Sequence, residues 1–119
     1  MNKLDLVSSL YCAAIAYRCG GIRAGYHEEI SAPAAQASEA LRSTFGDAVR
    51  RCHQARSPFF RHPPAHQLWL ATRERLEPLI GAPDDILCWD GNAFGAFLRD
   101  LRSLRCMGLT KRAAEKEAS

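Results

Sequence analysis

His62 and His66 lie four positions apart, with Cys52 and His53 upstream as possible companions. On a helix that spacing aims two imidazoles at one ion, the geometry of a metal site. Pro63 and Pro64 stand between the histidines and oppose helix at His62. Capping or solvated histidines are therefore expected, with no metal and no cofactor. Cys52 and His53 are neighbours, so on a helix their side chains diverge by about 100° and cannot act as nucleophile and base. Glu28 and Glu29 read as a loop pair, and Asp84 and Asp85 as acids favoured at a helix start. Gly20, Gly21 and Gly25 match no phosphate-cradling loop. These residues give no reason to expect an enzyme.

The elements that would position these residues are helical throughout. Apolar periodicity, capping residues and breakers predict helices over 3–19, 32–55, 65–77, 84–89 and 93–106. Leu4, Val7, Tyr11 and Ile15 form one stripe of the first, and Leu6, Leu10 and Tyr17 an adjacent one. Gly20-Gly21 is expected to stop it. Ser31 and Pro33 open the second helix, whose apolar face carries Leu41, Phe45, Ala48 and Cys52. Trp69, Thr72, Leu76 and Leu79 are in register on the third, which Pro78 is expected to bend or end. Asn92 is expected to cap the fifth, with Phe94, Phe97, Leu101 and Leu104 as its seam and Gly108 as its stop. Residues 57–64 hold three prolines and form a connector. Its Phe59 and Phe60 either tuck under the segment or make an exposed aromatic patch.

The expected architecture is all-α, an irregular bundle of about five helices in a single domain over 1–119. At 47% apolar and 24% charged the chain is neither disordered nor fibrous. Its five cysteines, an odd number without a CxxC pair, suit free thiols in a reducing cytoplasm better than a disulfide framework. Asp5 and two serines spoil the outline of a signal peptide, and no stretch reaches the ~18 apolar residues of a membrane span. A cytoplasmic protein is expected. Thirteen of the 16 basic residues are Arg, a bias that a GC-rich bacterial genome would produce.

The net charge of +3 conceals an uneven distribution. From Arg42 to Arg61 there are five Arg and one acid, and from Arg99 to Arg112 five basic residues and one acid. The second stretch reads Leu101-x-x-Leu104-x-x-x-Gly108-Leu109-Thr110-Lys111-Arg112. It resembles the recognition helix and first wing strand of winged-helix DNA-binding proteins. That resemblance implies a winged-helix-like C-terminal half, with Arg99, Arg102 and Arg105 on the recognition helix and Lys111 and Arg112 at the wing base, contacting phosphates and base edges.

The leading expectation is different. The first helix carries a wider apolar face than a surface helix needs, which favours a homodimer and burial against another protein. The chain then reads as a small non-catalytic regulatory protein, such as an inhibitor or antiactivator that occupies the interface of a partner, with a transcriptional regulator as one candidate partner. Leu6, Leu10, Tyr17, Phe59 and Phe60 are its candidate protein-binding residues. A small DNA-binding regulator using the C-terminal arginines is the alternative.

Overall fold

A computed structural model describes residues 3–26 and 32–118, with side chains described over 5–20 and 39–108. It contains five helices: α1 (Lys3–Tyr26), α2 (Ala32–Gln54), α3 (Pro63–Gly81), α4 (Asp85–Cys88) and α5 (Gly91–Ala118). No strand occurs among the described residues.

Three helices outrun their sequence-based ends, two of them past a glycine and one past a proline. A glycine stops a helix by adopting a left-handed conformation at the C′ position, and no described residue has a positive φ. α1 therefore continues through Gly20 and Gly21 to Tyr26. Gly20 is instead a packing position, where an added Cβ would come within 2.8 Å of Leu41 Cδ1. α3 passes Pro78, which is exposed, and ends three residues later. α5 passes Gly108 and runs to Ala118, so the segment expected to become a wing strand is helical. Its N-terminus also differs from expectation: Asp90, rather than Asn92, accepts the Ala93 N–H at 2.6 Å on its carboxylate.

The connector is held at both ends. The His62 ring Nδ1 accepts the Ala65 N–H at 3.3 Å and caps α3, whose first residues, Pro63 and Pro64, have no N–H to satisfy. His66 Nδ1 lies 2.7 Å from Ser57 Oγ across the turn.

Paired contacts fix the topology. Tyr17 stacks on Phe45 with ring centroids 5.7 Å apart, while the Cys52 thiol donates to Leu6 O at 3.4 Å, so α1 and α2 are antiparallel. Arg18 sits 4.4 Å over the Phe94 ring, and Arg102 donates to Tyr11 Oη at 3.1 Å, so α1 and α5 are antiparallel too. α3 packs against α2 on one side and α5 on the other, closing a ring of four long helices that run up, down, up and down. α4 is a single turn across the upper end.

Phe45, Trp69, Phe97, Leu10, Leu76 and Leu101 fill the centre of this ring. On α1, Val7, Leu10, Ala14 and Tyr17 are buried, Leu6 and Tyr11 are packed at the core's margin, Ile15 is half-buried, and the Leu4 side chain lies outside the described residues. Much of the apolar face of α1 is therefore covered by the chain's own helices. The molecule measures 57 × 23 × 23 Å with a radius of gyration of 15.9 Å, against about 13.5 Å for a compact chain of this length.

Candidate functional site

The groups with the most strongly altered chemistry fasten the fold. Tyr17 Oη donates to Asp84 Oδ1, and Arg42 Nε donates to the same oxygen at 3.0 Å. Burial, then the bond to Asp84, pushes the Tyr17 hydroxyl well above the ordinary tyrosine range. The bonds from Tyr17 and Arg42 hold the Asp84 carboxyl below its usual range despite partial desolvation. Arg18 adds a 3.1 Å bond to Ile86 O. α4, too short to be stable alone, is thus tied to α1 by two side chains and to α2 by one. A buried, strongly protonated tyrosine is a latch rather than an acid or base for a substrate.

Cys52 is buried, and desolvation raises its thiol to about 11, the opposite of nucleophile activation. Cys12, Cys19, Cys88 and Cys106 are exposed. His62 and His66 each engage a ring nitrogen with a different partner, and no group of three or more potential metal ligands occurs among the described residues.

The candidate protein-binding residues divide. Leu10, Tyr17 and Phe59 are core residues, at 1%, 3% and 0% exposed, and are corrected from surface anchors to packing residues. Phe59 lies with its ring centroid 5.9 Å from that of Trp69. Leu6 is half-buried, whereas Phe60 is 65% exposed with the Arg61 guanidinium 5.3 Å over its ring. The two phenylalanines therefore split the sequence alternatives between them. Arg99, Arg102 and Arg105 are exposed on α5. Lys111 and Arg112 lie on the helical extension, and their side chains fall outside the described residues.

Two of the recesses on the described surface involve α3. One, of about 260 Å³ and lined by Arg75, Trp89, Ala93 and Ala96, is bordered by a 3.2 Å bridge from Arg75 to Asp100. The other, of about 280 Å³, is lined by His53 of α2 and by Leu70, Arg73, Glu74 and Glu77 of α3. Leu70 is 37% exposed, and Arg73 Nε is buried without a hydrogen-bond partner. Arg73 Nε and the Trp69 indole Nε1 are the buried side-chain donors without a partner among the described residues, and Arg73 lies beside the exposed Leu70. Sequence reasoning missed this group. Its available signal was Leu70, an apolar residue off the Trp69–Thr72–Leu76–Leu79 seam and followed by charged residues.

No helix among the described residues is long and apolar enough to cross a membrane. Comparison with protein-family models, curated proteins and solved structures gave no significant match.

Proposed function

We propose that the chain is a non-catalytic regulatory protein that acts by binding another protein, as an inhibitor or antiactivator occupying a partner's interface. What supports this reading is the α2–α3 recess, where Leu70 is exposed and the buried Nε of Arg73 lacks an acceptor. A partner that places an apolar side chain over Leu70 and a carboxylate against the half-buried Arg73 guanidinium engages both at once. Glu74 and Glu77 at the rim favour a partner carrying a basic side chain beside that acceptor. The mixed charge also allows a second copy of the chain to be the partner.

A photo-crosslinking residue at position 70, introduced in the native host, tests the proposal. One discrete adduct is expected, identified by mass spectrometry and weakened by Arg73→Ala. Sedimentation shows whether the partner is a second copy. An adduct pattern unchanged by Arg73→Ala, or no adduct at all, overturns the reading. The alternative DNA-binding reading draws on the exposure of Arg99, Arg102 and Arg105 but has lost its wing.

A further inference from the structure

Positions 48–73 contain five Arg and no acid, and positions 101–114 contain four basic residues and no acid. α2 and α5 run in the same direction, so the end of α2, the connector that follows it and the C-terminal part of the second stretch arrive at the lower end of the bundle, while Arg73 lies further up α3. Arg50 and Arg51 stand in the last turns of α2, Arg56 and Arg61 on the connector, and Arg105 on α5, all exposed. Asp47, paired with Arg50, and Asp5 of α1 are the acids toward this end among the residues with described side chains. Glu39, Asp84, Asp85 and Asp90 lie toward the opposite end, so the bundle is charge-polarised along its length.

Helix dipoles account for part of this, because cations are favoured at helix C-termini. They do not account for Arg56 and Arg61, which lie beyond the end of α2. Nor do they account for Phe60, an exposed ring beside Arg61 on a connector otherwise fastened by buried Phe59, the His62 cap and the Ser57–His66 contact. An exposed aromatic among arginines offers a face for a base and charges for the flanking phosphates. A membrane surface would draw on the same charge, but interfacial binding needs a broad apolar face. Among the described residues the exposed large apolar side chains are Phe60 and Leu70, and Leu70 lies two turns along α3.

We propose that this pole binds single-stranded nucleic acid, with an unpaired base stacked on Phe60 and the backbone following Arg50, Arg51, Arg56 and Arg61. The surface shares no residue with the α2–α3 recess, so variants of one leave the other intact and the two proposals fail independently.

The test is fluorescence anisotropy with a labelled oligodeoxythymidine strand, the matching duplex, and vesicles of mixed neutral and anionic lipid, at low and at physiological salt. The strand is expected to bind in preference to the duplex, with affinity falling steeply as salt rises. Phe60→Ala, a change at an exposed site, is expected to weaken strand binding by about tenfold while circular dichroism stays unchanged. Arg56→Glu/Arg61→Glu is expected to abolish binding. No strand binding at low salt overturns the proposal. So does equal binding of strand and duplex that ignores Phe60→Ala, or Phe60-dependent binding to vesicles alone.

Discussion

Tyr17 and Asp84 are hydrogen-bonded across 67 positions of sequence, and their bond joins the first helix to the turn that leads into α4. The pair makes stability depend on pH in two separate windows. The folded-state pKa of Asp84 is depressed, so its contribution is present above the unfolded carboxylate range and lost as pH falls through the folded value. That of Tyr17 is raised, so its contribution is present below the ordinary value of 10.0 and lost as pH climbs beyond it. Thermal melts across pH should show Asp84→Asn modestly less stable than the parent at neutral pH, with the gap closing in acid. Tyr17→Phe should flatten the alkaline limb. An Asp84→Asn gap that does not narrow in acid would show that the carboxylate's charge is not what holds the turn.

Adjacent phenylalanines should behave as opposites. Phe59 is fully buried against Trp69, so Phe59→Ala should cost about 3–5 kcal/mol in chemical denaturation. Phe60 projects into solvent, and Phe60→Ala should stay within about 0.5 kcal/mol of the parent. Similar losses at both positions would mean that the connector packs differently.

The helical class and the seams of α2, α3 and α5 were legible in the sequence because 3.6-residue periodicity reports burial directly. Helix ends were less legible. Gly20, Gly108 and Pro78 carry stop signals that tertiary packing or an exposed position overrides, and one sequence does not show which breaker will be obeyed. The site was least legible. Leu10 and Tyr17 were legible as apolar, but whether their face meets another chain or α2 and α5 depends on how the helices close into a ring. The convergence of two arginine-rich stretches at one pole required the direction of each helix, which periodicity does not encode.

Thiol chemistry should separate Cys52 from the rest. Its burial, its bond to Leu6 O and its raised pKa all protect it, whereas Cys12, Cys19, Cys88 and Cys106 are exposed. Iodoacetamide at neutral pH followed by mass spectrometry should find those four alkylated in the native protein and Cys52 alkylated only after denaturant is added. Native labelling of Cys52 at a comparable rate would place the α1–α2 interface in frequent opening.

Two helical glycines should respond to substitution with opposite signs. Glycine within a helix costs about 1 kcal/mol relative to alanine. Gly95 has nothing within 4 Å of an added Cβ, so Gly95→Ala should recover about that amount. At Gly20 the added carbon meets Leu41 Cδ1 at 2.8 Å, and the branched side chain of Gly20→Val would push further into the same space. That variant should lose about 1–3 kcal/mol as α1 and α2 are forced apart. Combining it with Leu41→Ala tests the cause, since the shortened side chain vacates the space that valine needs. The double variant should then be more stable than the sum of the two single changes predicts, and simple additivity would mean that Gly20 and Leu41 are not in contact.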